Sequence, residues 1–139
     1  MHQKTVLVTG ASRGIGRAIA LHFAKEGCHV FLNSHHSTEE LKKVQQEILE
    51  TFHLSSTLVP GDVGNSDDVR QIFQTIESSV GGLDILVNNA GIAHIGLLTD
   101  MTDEEWNHLI QTNLSSVFYC CRQALPYMIS QKGGCIINI

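Results

Sequence analysis

The sequence predicts an α/β fold, a parallel sheet covered on both faces by helices, across all 139 residues. Three observations carry that expectation. Strand-like and helix-like patterns alternate from end to end without a linker, repeat or low-complexity segment. A glycine-rich turn, Gly10 to Gly16, separates the first apolar run from the first helical one. The run Asp84-Ile85-Leu86-Val87 is continuously apolar after its first residue, as suits a parallel strand covered on both faces. The resulting βαβαβαβαβ order calls for right-handed crossovers and a Rossmann-type doubly wound sheet.

Each element follows in turn. Val6-Leu7-Val8 is the first strand, and Arg17-Ala18-Ile19-Ala20-Leu21 lies in the first helix, with Gly27 where a C-terminal cap belongs. His29-Val30-Phe31-Leu32 is the second strand. Ser37 and Glu40 then have capping-box spacing ahead of Leu41, Val44 and Ile48, which share one helical face. Thr57-Leu58-Val59 is the third strand. Asn65 or Ser66 caps a helix whose stripe is Val69, Ile72, Phe73, Ile76 and Val80, and Gly81-Gly82 stops it. The fourth strand is Asp84–Val87. Thr102 and Glu105 form a second capping-box pair before Trp106, Leu109, Ile110, Leu114, Val117, Phe118 and Cys121, read as one helix that Pro126 kinks or shortens. Gly133-Gly134 leads into the fifth strand, Cys135 to Ile139.

Composition bounds the function. A 42% hydrophobic, 17% charged chain of this length is expected to be one globular domain, 1–139. Its net charge of −5 and lack of a basic patch argue against a nucleic-acid partner. No apolar run approaches the ~20 residues of a membrane span. Met1-His2-Gln3-Lys4 leads straight into the first strand, which leaves no room for a signal peptide. Cys28, Cys120, Cys121 and Cys135 show no CxxC spacing and read as buried or half-buried reduced thiols of a cytoplasmic protein. The histidines lack metal-site pairing, so no metal is expected.

The chemistry concentrates at strand ends. Thr9-Gly10-Ala11-Ser12-Arg13-Gly14-Ile15-Gly16 runs from strand to helix, the order a dinucleotide pyrophosphate needs. Glycine lets the backbone approach the phosphates, and the helix starting near Gly14 offers unpaired N–H groups and a positive dipole end. Asp62 and Asn88-Asn89-Ala90-Gly91 also follow strand ends and are expected to line the same crevice. A ribose with free hydroxyls is usually held by an acid about 20 residues beyond the glycines. Asn33, Ser34, His35 and His36 stand there instead, while Arg13 has the planar donors for a 2′-phosphate. NADP(H) is therefore the expected cofactor. Asn113, seven residues after Trp106, falls on the apolar stripe of its helix. An amide there is either satisfied by neighbouring backbone or water, or bends the helix and orders water in a catalytic site; spacing alone leaves both open.

These segments resemble the short-chain dehydrogenase/reductase family. The match rests on Thr9–Gly16, Asp62-Val63, Asn88-Asn89-Ala90-Gly91, and Asp103-Glu104-Glu105-Trp106 running on to Thr112–Phe118. It is greatest with the bacterial 3-oxoacyl-[acyl-carrier-protein] reductases of fatty-acid synthesis and covers the whole chain as the N-terminal part of the family fold, truncated after the fifth strand. The resemblance implies that the glycine segment meets the cofactor phosphates. It implies Asp62 at the adenine amino group with Val63 nearby, and Asn89, Ala90 and Gly91 along the adenosine ribose. It matches Asn113 to the asparagine of an Asn-Ser-Tyr-Lys tetrad, holding a relay water. In the family the serine and the Tyr-x-x-x-Lys pair come after the fifth strand. Here Tyr119 is followed four residues on by Gln123 and Tyr127 by Gln131, so neither can substitute.

The implied activity is hydride transfer from NADPH to a ketone, with the 139 residues alone expected to be inactive. The implied substrate is a 3-oxoacyl group on acyl carrier protein, with Arg122 and Lys132 as candidate docking cations, and the full-length form is expected to be a homo-oligomer. A sugar, a steroid or another keto substrate fits the same residues, as does a non-catalytic nucleotide-binding module or a truncated gene product. Exposed apolar residues at the fifth strand, Ile136, Ile137 and Ile139, are expected to favour aggregation or a partner that covers that edge.

Overall fold

The computed structural model describes residues 3–139; Met1 and His2, which begin the lead-in to the first strand, lie outside the described residues. Five parallel strands form one sheet: β1 (Thr5–Val8), β2 (His29–Leu32), β3 (Ser56–Leu58), β4 (Ile85–Asn88) and β5 (Cys135–Asn138). Their order is β3-β2-β1-β4-β5, with Leu7 level with Phe31 and Leu86, and Leu86 level with Ile136. The strand order reverses between β1 and β4, so a crevice opens beyond their carboxyl ends.

Alternation along the strands divides the core. Leu7, Phe31 and Leu86 point to the face covered by α3 (Ser66–Val80) and α5 (Ser116–Ser130), joining Val69, Phe73, Ile76, Cys120 and Ala124. Val6, Val8, Val30, Leu32 and Val87 point to the other face, covered by α1 (Gly14–Lys25) and α2 (Thr38–Phe52) through Ala20, Ala24, Leu41, Val44 and Ile48. The remaining helix, α4 (Asp103–Ile110), buries no residue. Among the described residues, strand β5 pairs on one side only, with Ile136 and Ile137 half-buried and Ile139 exposed.

Capping explains most boundaries. Asn65 Oδ1 accepts from the N–H groups of Asp67 and Asp68 at 2.8 and 3.3 Å, and Gly81 ends α3 in the left-handed region at φ +77°. Thr102 and Glu105 bond reciprocally, a complete capping box. The Ser37–Glu40 pair does not. Ser37 occupies the cap position, but its ψ of 54° differs from the 161° of Thr102, and its hydroxyl accepts no helix N–H. Glu39 and Glu40 still complement the α2 dipole.

Four further expectations are corrected. The third and fourth strands each shift by one residue; at Asp84 the carboxylate accepts from the Thr5 N–H at 2.8 Å and precedes the strand. Pro126 does not shorten its helix, which runs four residues past it to Ser130. The long helix expected from Trp106 onward is interrupted by a π-helical turn, Gln111–Ser115. That turn rotates the register, so α5 buries Ser116, Cys120, Ala124 and Met128 rather than Val117, Phe118 and Cys121. Trp106, Leu114 and Phe118 are exposed. Cys28 and Cys120 are buried and Cys121 half-buried, as expected, but Cys135 is exposed at the sheet edge. Burial pushes the Cys120 thiol up to about 12.

Among the described residues no helix is long and apolar enough to cross a membrane, and no cluster of three or more His, Cys, Asp or Glu side chains is placed to hold a metal ion.

Candidate nucleotide-binding site

The glycine turn is built by close approach. Gly10 and Gly14 adopt φ of +64° and +54°, a region costly for other residues. At Gly16 the constraint is space: a Cβ would meet the Gly10 carbonyl oxygen at 2.2 Å and Asn89 Nδ2 at 2.5 Å. Only glycine lets the start of α1 lie this close to the end of β1.

Side chains stitch the neighbouring strand ends together. Thr9 Oγ1 accepts from the N–H groups of Asn89 and Ala90, both at 2.9 Å. Asn89 Nδ2 donates back to the Thr9 and Gly10 carbonyls at 2.9 and 3.2 Å. On the other side, the Ala11 N–H donates to the Asn33 carbonyl at 2.8 Å, and Asn33 Nδ2 donates to the carbonyls of Val59 and Gly61. The carboxyl ends of β1, β2, β3 and β4 thus form one rigid rim.

A crevice of about 460 Å³ opens at this rim. Gly10, Ser12, Arg13, Gly14, Ile15 and Gly16 line it from the turn; Asp62 and Val63 from the segment after β3; Asn89, Ala90 and Gly91 from the segment after β4. Thr9 and Asn113 do not line it. Thr9 is buried behind the rim at 2% exposure, and its hydroxyl is spent on the Asn89–Ala90 backbone.

Charge is distributed unevenly around the crevice. Helix α1 has no capping side chain and no acid in its first turn, whereas α2, uncapped as well, and the capped α3 and α4 each carry two or three acids there. The first N–H groups and positive dipole end of α1 therefore remain available to an anion. Arg13 immediately precedes α1 and has no carboxylate partner within 4 Å among the described residues. Asp62 is held by its surroundings: Oδ1 accepts from the Gly64 N–H, and its own N–H donates to Asp68 Oδ2, both at 2.8 Å.

Asn113 lies in the π-helical turn and is exposed, not on a buried stripe. Its amide clamps one residue: Oδ1 accepts from the Ile92 N–H and Nδ2 donates to the Ile92 carbonyl, each at 2.8 Å. The clamp joins the interrupted helix to the segment after Gly91, so Asn113 sits beside the crevice and not on its wall.

Sequence reasoning missed several wall residues. Ile92, His108 and Thr112 line the crevice, and no linear motif flags them because the path of the chain after β4 brings them there. Asn33, Ser34, His35 and His36 were legible as the end of the second strand, and all four line the wall. The imidazoles of His35 and His36 stack with centroids 3.6 Å apart, and His35 Nδ1 lies 3.9 Å from Asp62 Oδ2.

A glycine turn into an uncapped helix, at the point where a parallel sheet reverses its strand order, defines the chain as a dinucleotide-fold protein. Residues 4–139 match the short chain dehydrogenase family model, and the chain belongs to that family. The 3-oxoacyl-[acyl-carrier-protein] reductase FabG of Staphylococcus aureus is 44% identical over 136 residues, and the corresponding reductase of a Synechocystis species is 40% identical. Each alignment covers 98% of this chain and 55% of the relative, so the chain spans about half the length of the curated relatives it matches. Among solved structures, L-sorbose reductase from Gluconobacter frateurii, crystallised with NADPH and L-sorbose, superposes with a TM-score of 0.93 at 33% identity, over 99% of this chain and 52% of that one. A metagenomic short-chain oxidoreductase in complex with NADP superposes with a TM-score of 0.90 at 36% identity, over 97% and 61%.

Proposed function

We propose that residues 1–139 are the NADP(H)-binding unit of a cytoplasmic reductase that transfers hydride to a ketone, with a 3-oxoacyl group on acyl carrier protein as substrate. One observation carries the cofactor assignment: the crevice pairs an uncapped, acid-free α1 start with an unpartnered Arg13, and no carboxylate stands in the segment Asn33–His36 after β2. The cradle fits a diphosphate, because Gly10 and Gly16 let the start of α1 close onto the strand ends and its first N–H groups, which no side chain caps, lie at the crevice wall.

In this reading the amides at the start of α1 bind the diphosphate, with Gly14, Ile15 and Gly16 closest to it, and Ser12 beside them. Arg13 meets the 2′-phosphate. Asp62 takes the adenine amino group, with Val63 against the ring, and Asn89, Ala90 and Gly91 follow the ribose. Thr9 acts by fixing Asn89 and Ala90. Asn113, clamped to Ile92, positions the turn that faces the nicotinamide end and holds a water there. The bound dinucleotide supplies the hydride. The substrate assignment leans on the FabG relatives, and the homo-oligomer on the exposed Trp106, Leu114 and Phe118.

Because the 139 residues contain no Tyr-x-x-x-Lys pair, we expect NADPH binding without turnover. Titrating NADPH while following its fluorescence should give saturable binding, and an acetoacetyl thioester should then cause no NADPH oxidation. Absence of binding by a folded sample would sink the cofactor reading; ordinary turnover would sink the assigned chemistry. A second reading is a nucleotide-binding module without catalysis; retained NADPH binding with no turnover by the whole protein would favour it. Coding sequence beyond Ile139 that contains Tyr-x-x-x-Lys would decide for the reductase.

A further inference from the structure

The stacked imidazoles of His35 and His36 line the crevice, yet none of the dinucleotide contacts assigned to the α1 amides, Arg13 and Asp62 employs them. We propose that this stack is a proton-gated element for the 2′-phosphate, so that preference for the phosphorylated dinucleotide over the unphosphorylated one rises as pH falls. The inference rests on the dinucleotide reading above and adds a regulation of the same site.

Position comes first. Both histidines follow β2 within four residues and line the crevice, at the strand end that meets the adenosine ribose in sheets of this class. The Ala11 N–H bond to the Asn33 carbonyl and the 3.5 Å contact between Ser34 and Ser12 hydroxyls hold this segment against the glycine turn that carries Arg13. Both rings are exposed enough to meet a ligand, and they stack at 3.6 Å with 30° between their planes.

Charge supplies the second argument. The charged and titratable groups that line the crevice with the stack are Arg13 from the glycine turn, Asp62 after β3 and His108 from α4, with Asp68 bonded to the Asp62 N–H; further along the chain come Glu39 and Glu40 in the first turn of α2 and Lys42 and Lys43 one turn on. Lys42 is paired with Glu39 at 2.7 Å. With neutral imidazoles, the permanent charges on the crevice wall are Arg13 and Asp62, one of each sign, so a dianionic phosphate gains from Arg13 but meets no net positive wall. One proton changes that balance at the point of contact: taken up by the His36 ring, it makes both ring nitrogens N–H donors for the phosphate, while the neutral His35 ring stacks beneath it and Asp62 lies 3.9 Å from His35 Nδ1 to offset the added charge. Imidazole is the side chain suited to such a change between pH 5 and 8. The phosphate's own second protonation, near pH 6, works against tighter binding in acid, so a rise there must come from the protein.

Calorimetric titration of the 139-residue chain with NADP⁺ and NAD⁺ at about pH 6 and about pH 8 tests this. The NADP⁺-to-NAD⁺ affinity ratio should be roughly fivefold larger at the lower pH, the scale of one charge-assisted contact at an exposed site. Binding of NADP⁺ near neutrality should take up protons, read from buffers of different ionisation heat, beyond any uptake with NAD⁺. His36→Arg should keep the ratio high at both pH values, and His35→Gln with His36→Gln should flatten it. An equal ratio at both pH values, or an unchanged pH response in the double variant, would overturn the proposal and leave the dinucleotide reading standing. Failure of both nucleotides to bind at either pH would overturn both.

Discussion

At Gly16 one methyl group decides whether the first helix can reach the sheet. A Cβ at this position would sit 2.2 Å from the Gly10 carbonyl oxygen, which is rigid backbone, and 2.5 Å from the Asn89 amide that braces β4. Gly16→Ala should therefore cost about 1–3 kcal/mol of stability, as overpacking usually does. It should also weaken NADPH binding at least about tenfold, since the same shift moves the phosphate-facing amides. Thermal melts and the fluorescence titration read the two effects separately; Gly14→Ala is the contrast, with a strained φ of +54° but nothing within 4 Å of its Cβ.

Elements are set by their ends. Helix α3 begins on Asn65, whose side chain satisfies two otherwise unpaired N–H groups, and its first turn adds Asp67 and Asp68. Asn65→Ala should destabilise the chain by about 1 kcal/mol in denaturant unfolding, while Ser37→Ala at α2 should cost less because that hydroxyl accepts no helix N–H. The interruption between α4 and α5 works differently. Its π-helical turn lets Asn113 face the Ile92 backbone, and every later residue of the helix is rotated relative to the stripe that began at Trp106.

For the molecule as a whole, stability should depend on pH through His29. Burial beside β3, with Nε2 2.9 Å from the Thr57 hydroxyl, lowers its basicity below the ordinary histidine value of 6.5. The folded chain thus favours the neutral ring, and the unfolded chain takes up the proton first as pH falls. The stabilisation is complete above about pH 6.5 and is lost progressively below it. Melting temperatures should fall between pH 7.5 and 5.5, and the fall should be shallower in His29→Gln. An equal slope in the variant would remove His29 as the cause.

Strand–helix alternation, the glycine turn, the Asn65 and Thr102 caps and the strand-end position of Asp62 and Asn89 were all legible in the residues themselves. They depend on interactions within one or two turns of chain, or on a periodicity that repeats locally. The failures share the opposite character. Ser37 has the right residue three positions before Glu40, yet the incoming chain arrives at ψ 54°, and no local pattern encodes that angle. Asn113 lies on a calculated stripe that the π-helical turn abolishes. Thr9 belongs to the glycine motif in sequence but stands behind it in space, because β4 pairs with β1 and brings Asn89 and Ala90 onto its hydroxyl. His108 and Thr112 join the wall only because the chain crosses from β4 back over the crevice. Which residues could make the site was a matter of local chemistry; which of them face one another was decided by packing between segments distant along the chain.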